Sequence, residues 1–407
     1  MKKTAIICEY NPFHRGHEKQ IAQLRSESSE ESLVICLMSG NFVQRGEPAI
    51  FDKYTRAKVA VLHGADIVLE LPFPFSCAPA EIFARSAVRL LKRLNCVDTL
   101  CFGSESGDLE QLQRIAHVKQ SDEFRAALDS EAQAKVRTPQ SYIKAMESAL
   151  NRLSASHQIP LCGGVPEGRG GLVGISAPND ILGVEYLCAL AAEQSGITPL
   201  VLRREQDGLS ASASRSVLHA QDEAELARLI PTAALEIFRQ TPIASLTYAE
   251  RAVLAHFRLT PPSVTAQAAD MPHGLAERMQ RAALQATSLD EFFALCQTKK
   301  YTNARLRRCI LLAMLGIQME QLHETPQYTQ LLAASERGRA ELRQIMRNSA
   351  VPILTKAAHY RKLPPSAQAQ FECSLRADGL WTLCTPQAQE GSVFIKSAPY
   401  LEEENNA

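Results

Sequence analysis

The sequence has no apolar run long enough to cross a membrane. Spanning the bilayer core takes about 20 predominantly apolar residues, whereas Glu9 interrupts the first apolar stretch directly after residues 4–8. A secretory signal peptide also needs a longer apolar segment, of about 7–15 residues. We therefore expect a protein that works in the cytoplasm and has no membrane partner.

Net charge and paired cysteines are also missing. Lys+Arg and Asp+Glu balance at 44 each, so a nucleic-acid partner would have to bind to a local basic patch. The 11 cysteines are scattered without a CxxC pair. This pattern is typical of reduced thiols and gives no sign of a zinc or redox motif, so we expect no protein-held metal.

Continuous apolar segments predict five buried parallel strands. Runs of this kind, rather than alternating ones, are expected where helices cover both faces of a sheet. The segments are Thr4–Glu9, Leu33–Ser39, Asp66–Leu71, Val97–Gly103 and Pro199–Arg204. Helical patterns such as Asp52–His63 and Ala80–Leu94 lie between them. The fold class is therefore predicted to be α/β, with a doubly wound parallel sheet.

The pattern changes along the chain and predicts two domains. Residues 1–220 would form the α/β domain, with a mainly helical insertion near residues 105–160. Six glycines in residues 163–174 predict a mobile loop, which could close over a substrate or be a plain connection. After residue 220 the alternation stops, so we expect residues 221–407 to form a mostly α-helical domain.

The most informative motif directly follows the first predicted strand. Residues 8–17 read CEYNPFHRGH, and His14 and His17 flank Gly16 at the start of a predicted helix. The N–H groups and dipole of a helix N-terminus favour negative charge, and Gly16 lets an anion approach the backbone. Two imidazoles there can hold the α-phosphate of a nucleotide while pyrophosphate leaves. The alternative, incidental loop histidines, is disfavoured by the flanking strand and helix.

Three further candidates lie where ligands of such sheets bind, beyond the carboxyl ends of the strands. Gly103 ends the fourth strand and would let adenine or ribose approach, and Arg204 ends the fifth. Asn179 lies in the first turn of a helix opened by Pro178, placed to donate to a base or a ribose. The plainer alternatives are a turn glycine, a surface charge paired with Glu205 and a capping hydrogen bond.

Phosphate-binding candidates come from two segments. Ser210, Ser212 and Arg215 lie at a helix start, where small hydroxyl residues and an arginine suit the β- and γ-phosphates. Lys53 follows the second strand and could counter phosphate charge. Their alternatives are an ordinary serine cap and a solvated helix charge.

The densest basic run occurs in the predicted helical domain and suggests an RNA contact. Its candidate residues are Lys299, Lys300, Tyr301, Arg305 and Arg308. The arginines share a helix face, and the tyrosine supplies a stacking surface. This combination suits a phosphate backbone with an unpaired base nearby, while a merely solvated charge run is about as well supported.

Together these motifs resemble the bacterial tRNA(Met) cytidine acetate ligases, members of the HxGH nucleotidyltransferase superfamily with a Rossmann-like domain. The matching segments, in order through residues 5–308, are EYNPFHRGH, MSGNFVQRGEPAIFDKYTRA, GADIVLELP, FGSES, PNDILGVEYL, VLRR, SASASR and KKYTNARLRR. Two features depart from the family pattern. The 163–174 loop is longer, and SASASR stands where the family tends to read SATxIR.

The resemblance implies the residues that bind ATP, with His14 and His17 as the catalytic pair. The implied ATP-binding residues are Cys8, Glu9, Tyr10, Asn11, Pro12, Phe13, His14, Arg15, Gly16, His17, Glu18, Lys19, Gln20, Ile21, Gly103, Asn179 and Arg204.

The reaction implied by the resemblance is the ATP-dependent acetylation of RNA. Acetate would be activated as acetyl-adenylate and transferred to N4 of the wobble cytidine in the anticodon loop of elongator tRNA(Met). ATP is then a substrate, Mg²⁺ is the expected helper and no organic cofactor is needed. Single-stranded anticodon loops are the parts of RNA most open to such readout.

Other functions remain open at this point. A nucleotidyltransferase that joins AMP or CMP to a small phosphorylated metabolite would share the HxGH motif but needs no large helical domain. A class I aminoacyl-tRNA synthetase is disfavoured because no KMSKS-like loop follows. A non-catalytic ATP-sensing RNA-binding protein would bind ATP without turnover.

Overall fold

The computed structural model describes residues 1–27, 32–132, 177–205, 209–298 and 300–402. Its strands are β1 (Lys2–Cys8), β2 (Ser32–Ser39), β3 (Ile67–Leu71), β4 (Thr99–Ser104), β5 (Thr198–Arg203), β6 (Thr329–Ala334), β7 (Ile353–Leu354) and β8 (Tyr400–Leu401). Within the described ranges they form one 8-stranded sheet in the order β5-β4-β1-β2-β3-β6-β7, with β8 beside β6. Strands β1 to β5 pair in parallel, whereas β6 is antiparallel to β3.

All five predicted strands are confirmed, with boundaries that shift by at most two residues. Their side chains alternate between two apolar cores on opposite faces of the sheet, because successive residues of a strand point in opposite directions. Ile6 belongs to one core and Ile7 to the other, and Val34 and Ile35 alternate likewise. Burial on both faces explains why these strands are continuous apolar runs.

Helices cover both faces of the parallel part. They are α1 (Arg15–Glu27), α2 (Lys53–Leu62), α3 (Ala80–Arg93), α4 (Leu109–Gln120), α5 (Asp122–Ala132), α6 (Pro178–Ala192) and α7 (Ala211–Ala220), with a short 3₁₀ helix at Phe75–Cys77. Helices α1 and α2 contribute to the core that contains Ile6, and α3 and α6 to the core that contains Ile7. The doubly wound arrangement predicted from the alternation is therefore confirmed.

The second half of the chain is mostly helical. Its helices are α8 (Glu223–Leu229), α9 (Thr232–Arg239), α10 (Glu250–Leu259), α11 (Pro262–Thr265), α12 (Leu275–Gln285), α13 (Leu289–Cys296), α14 (Asn303–Met314), α15 (Met319–His323), α16 (Glu336–Asn348), α17 (Pro365–Trp381) and α18 (Val393–Lys396), with 3₁₀ helices at Leu246–Ala249 and Ala357–Lys362. Helices α10, α12, α13 and α14 enclose a separate apolar core. In the described part of the chain, no helix is long and apolar enough to span a bilayer.

The structure differs from the sequence prediction after residue 220. Strands β6, β7 and β8 were not predicted, and they extend the same sheet, so residue 220 does not mark a break in it. Strand β6 reads TQLLAA and is buried at every position; its Leu and Ala residues favour helix, and pairing with β3 overrides that preference. Helices α8 and α9 are separate because Pro231 lies between them and caps the second. Residues 133–160 of the predicted insertion and the 163–174 loop lie outside the described residues.

Candidate active site

The turn between β1 and α1 carries the two histidines. The His14 side chain is buried, at 1% exposure, and its ring stacks on His17 with 3.8 Å between centroids. Tyr10 adopts φ 46° and packs its ring edge-on against His17 at 4.8 Å. A Cβ on Gly16 would lie 2.8 Å from Cε1 of His14. The glycine therefore permits the stacked imidazole pair at the helix N-terminus.

Backbone hydrogen bonds fix how each imidazole is protonated. The N–H of Gly16 donates to Nδ1 of His14 at 3.0 Å, and the N–H of His14 donates to Nδ1 of His17 at 3.3 Å. Because Nδ1 accepts in both rings, the proton of each neutral ring belongs on Nε2. Burial, together with His14 and Arg204, lowers the pKa of His17 well below its ordinary value of 6.5. His17 is therefore a neutral donor at physiological pH.

A cleft of about 680 Å³ opens beside this turn, beyond the carboxyl ends of β1, β4 and β5. It brings together residues that are far apart in sequence, as the parallel topology predicts. Of the sequence candidates, the cleft is lined by Cys8, Glu9, Tyr10, Asn11, His14, Gly16, His17, Lys19, Gln20, Gly103, Asn179, Arg204, Ser210, Ser212 and Arg215. The cleft therefore brings together most of the candidates proposed from the sequence for the ATP and phosphate site, while the role of each residue remains a prediction.

The Ser210–Arg215 segment closes one side of the cleft. The Ser210 hydroxyl caps α7 by accepting the N–H of Ala213 at 3.1 Å. Arg215 donates from Nη1 to the Asn11 carbonyl at 2.7 Å and from Nη2 to the Ser212 hydroxyl at 3.2 Å. The segment is therefore tied to the histidine turn, with an arginine and a helix N-terminus facing the same space.

Glu105, which the sequence analysis did not select, organises the opposite side. Its carboxylate accepts from the side-chain amide of Asn179 and from the N–H of Asp180 at the start of α6. Asp180 is buried, at 2% exposure, and accepts in turn from the Ser104 hydroxyl and the N–H of Glu105. This reciprocal arrangement fixes the Asn179 amide beside Gly103. The signal available in the sequence was the acidic residue after the fourth strand.

The loop that follows β2 adds three cleft residues that were also missed: Gln44, Arg45 and Glu47. Arg56 anchors the start of this loop, because its buried guanidinium donates to the carbonyls of Glu9, Ser39 and Gly40. It thereby joins the carboxyl ends of β1 and β2. The clue to this side of the cleft was the position of the loop beyond the carboxyl end of a parallel strand.

Five residues of the 8–21 segment face away from the cleft. Phe13 stacks on His63 at 5.2 Å, Arg15 donates to the Ala227 carbonyl, and Glu18 pairs with Nδ1 of His63. Pro12 is buried, and Ile21 packs into the core beneath α1. Their contacts shape the turn, and they do not line the described cleft.

Lys53 does not reach the cleft, so its selection as a phosphate ligand is corrected. Its side chain is 2% exposed, and Nζ lies 2.9 Å from Glu70 and 2.8 Å from Asp378. Burial alone would lower the pKa of the ammonium, but the Asp378 and Glu70 carboxylates hold it well above the ordinary value. Lys53 is therefore a structural cation that joins α2, β3 and α17.

The three arginines of the basic run have acidic partners, although two carboxylates serve all three guanidinium groups. Arg305 lies 2.8 Å from Asp270, and Arg307 pairs with Glu47. Arg308 is buried, at 8% exposure, and contacts Asp270 and the Gln44 carbonyl. Burial makes Arg308 unsuitable as a direct RNA contact, which corrects the prediction for that residue. Lys300 is exposed and Tyr301 half-buried, and Lys299 lies outside the described residues.

No metal-binding cluster is visible in the described ranges: no group of three or more His, Cys, Asp or Glu side chains is placed to hold an ion. A parallel sheet with two stacked imidazoles at its first strand-to-helix turn, and with arginines around an adjacent cleft, has the architecture of a nucleotide-binding α/β enzyme. The particular family follows from comparisons with known proteins.

A model of the HIGH nucleotidyl transferase family matches residues 1–393. The tRNA(Met) cytidine acetate ligase of Acetivibrio thermocellus is 32% identical, covering 94% of this chain and 95% of its own. The corresponding ligase of Listeria monocytogenes is 33% identical over the same shares. The chain therefore belongs to the HIGH nucleotidyl transferases and, within them, to the tRNA(Met) cytidine acetate ligase family.

Solved structures support the same relationship. Thermotoga maritima TmcAL bound with alpha-thio ATP is 28% identical and has a TM-score of 0.88, covering 99% of this chain and 100% of that chain. The apo form of the same protein gives a TM-score of 0.87 at 27% identity. The fold described above is thus the fold of a protein crystallised with an ATP analogue.

Proposed function

We propose that this protein is an ATP-dependent acetate ligase that acetylates N4 of the wobble cytidine of elongator tRNA(Met). The observation that carries the proposal is the stacked His14–His17 pair at the N-terminus of α1, facing a cleft lined by arginines. The ligase family of its relatives supports the choice of acetate and tRNA(Met). Free thiols throughout the described residues suit the cytoplasm, where we propose that it acts.

The first step would activate acetate. An acetate oxygen attacks the α-phosphorus of ATP, and pyrophosphate leaves. The Nε2–H groups of His14 and His17 stabilise the charge that develops on the α-phosphoryl oxygens. Because His17 is neutral, it donates without repelling its stacked neighbour. Ser210, Ser212 and Arg215 would hold the departing pyrophosphate at the start of α7.

ATP would be oriented from the other side of the cleft. The Asn179 amide, fixed by Glu105, is placed to donate to the base or the ribose. Gly103 leaves room beside it, because its missing Cβ would lie 3.2 Å from Cγ of Arg204. Mg²⁺ is expected to enter the site bound to the triphosphate of ATP, where it would neutralise part of the phosphate charge. The described residues offer no cluster to hold it, and no step above depends on it.

The second step would transfer the acetyl group to RNA. A cytosine amine is a weak nucleophile because its lone pair is delocalised into the ring, and the acyl-adenylate compensates as a strong acyl donor. Lys300, Tyr301 and Arg305, whose side chain stays 40% exposed beside Asp270, are proposed to contact the anticodon loop by charge and by stacking.

The test is incubation with ATP, radiolabelled acetate and bulk bacterial tRNA, followed by nucleoside analysis. We expect label in N4-acetylcytidine that depends on ATP. His14→Ala and His17→Ala should each lower acetate-dependent ATP–pyrophosphate exchange by about two orders of magnitude, as loss of an oxyanion donor typically does. Near-wild-type exchange in both variants would refute the site assignment. Exchange with a phosphorylated metabolite and no labelled RNA would favour the nucleotidyltransferase instead.

A further inference from the structure

One cleft carboxylate belongs to the ATP-binding segment implied by the resemblance but has no catalytic role in the adenylation step proposed above. Glu9 ends the first strand and lines the cleft, where its Oε1 accepts the N–H of Gln44 at 2.9 Å. The other three cleft glutamates are occupied: Glu47 by Arg307, Glu205 by Lys19, and Glu105 by Asn179 and the N–H of Asp180. Glu9 forms no ion pair with any described residue within 4.0 Å.

Glu9 lies between the two halves of the site. On one side it is followed within the same turn by the stacked histidines. On the other it accepts a hydrogen bond from the 43–48 loop, whose Gly46 packs against the backbone of Arg307 and Arg308 in the middle of α14. The carboxylate therefore faces the space between the proposed phosphate-binding turn and the helical domain proposed to approach RNA.

Acetyl transfer requires a proton acceptor in that space. When the cytidine N4 lone pair attacks the acetyl carbonyl carbon, a C–N bond forms, and the C–O bond to the α-phosphate breaks with its electron pair passing to AMP. The nitrogen must lose one proton to become an amide. We propose that Glu9 accepts this proton and releases it to solvent after AMP leaves. The inference rests on the proposed function and adds a general base to it.

The surroundings of Glu9 suit this role. Burial raises the pKa of its carboxyl above the ordinary value of 4.5, while the Gln44 N–H and nearby arginines oppose the rise. The charged and titratable groups that face it are Arg45 after β2, Arg215 on α7, Arg56 on α2, Tyr186 on α6, Cys77 in the 3₁₀ helix and Cys8 beside it. A carboxyl with a raised pKa is a stronger base once it is ionised.

The test separates transfer from activation. Enzyme loaded with labelled acetyl-adenylate is mixed with tRNA, and single-turnover acetyl transfer is followed between about pH 5 and about pH 8. For the wild type, the transfer rate should rise with pH through the pKa of Glu9 and then level off. In Glu9→Gln, whose amide oxygen can still accept the Gln44 N–H, transfer should fall by about 10²–10⁴-fold. The rise of the transfer rate with pH, which is the acidic limb of the profile, should disappear in this variant. The ratio of the transfer rate to the adenylation rate should fall at least about 100-fold.

Two further variants guard against a structural explanation. Glu205→Gln changes another cleft carboxylate, one already paired with Lys19 at 2.6 Å, and should keep the acidic limb. Glu9→Asp retains a carboxyl and should keep the limb at a lower rate. The inference is overturned if Glu9→Gln keeps the limb, transfers within tenfold of wild type, or loses adenylation in equal proportion. A wild type that transfers no acetyl group to tRNA would overturn the proposed function, and the inference with it.

Discussion

Replacing Lys53 with Met should destabilise the protein severely and leave ATP binding intact. The ammonium lies within 3.0 Å of both Glu70 oxygens and of Asp378 Oδ2, and the three side chains are 2–5% exposed. Its removal leaves two carboxylates buried without a cation. Breaking a buried pair in this way costs about 3–5 kcal/mol, a large fraction of the about 5–15 kcal/mol that holds a typical domain folded.

Urea unfolding and ATP titration measure the two expectations. Burial raises the pKa of the Glu70 and Asp378 carboxyls, and without Lys53 these carboxyls should titrate higher still. A carboxyl whose folded-state pKa is raised stabilises the fold as it becomes protonated. The stability deficit of Lys53→Met should therefore shrink as the pH falls from about 8 to about 5.

The matched control removes the charges together. Lys53→Met combined with Glu70→Gln and Asp378→Asn leaves hydrogen-bonding groups but no uncompensated charge, and it should recover most of the lost stability. A wild-type urea midpoint for Lys53→Met would refute the reasoning. So would a tenfold loss of ATP affinity, equivalent to about 1.4 kcal/mol, in a variant that remains folded.

Three other predictions follow from the cleft and its neighbours. The pKa of His17, followed by NMR titration, should lie well below 6.5, and a value at or above 6.5 would contradict the neutral donor. Gly46→Ala should lower the free energy of unfolding by at least about 1–2 kcal/mol and should slow acetyl transfer. Gly46 has φ +75°, and a Cβ there would lie 2.5 Å from the Arg308 backbone nitrogen. Unchanged stability and an unchanged transfer rate would count against close packing of the loop. Arg308→Ala should lower the urea midpoint of unfolding, because Arg308 is buried. Arg305→Ala should mainly alter the salt dependence of tRNA binding, measured by filter assay. A stability loss confined to Arg305→Ala, or a binding change confined to Arg308→Ala, would contradict these assignments.

The fold and the cleft were predictable where the signal is local. A buried parallel strand is a continuous apolar run, and parallel topology brings the strand ends to one edge, so His14, Gly103, Asn179 and Arg204 could be placed together from sequence. What remained hidden depends on contacts between distant segments. Lys53 and Asp378 are separated by 325 positions, and no local pattern shows that this lysine turns inward. Strand β6 was missed for the same reason, since its apolar residues do not by themselves distinguish a strand from a buried helix.

The basic run illustrates how paired charges alter a sequence prediction. Counted along the chain, Arg305, Arg307 and Arg308 suggest a surface that attracts phosphate. In the structure, Asp270 pairs with both Arg305 and Arg308, and Glu47 pairs with Arg307, so the pairing removes only part of this positive charge. An RNA phosphate that binds one of these arginines would have to compete with its carboxylate partner, which should weaken the contact relative to that of a solvated arginine. The pairs also connect α14 to the 43–48 loop, and that loop bonds Glu9 in the cleft. The paired arginines therefore connect α14 to the cleft, and the proposed RNA contacts are the run's more exposed side chains.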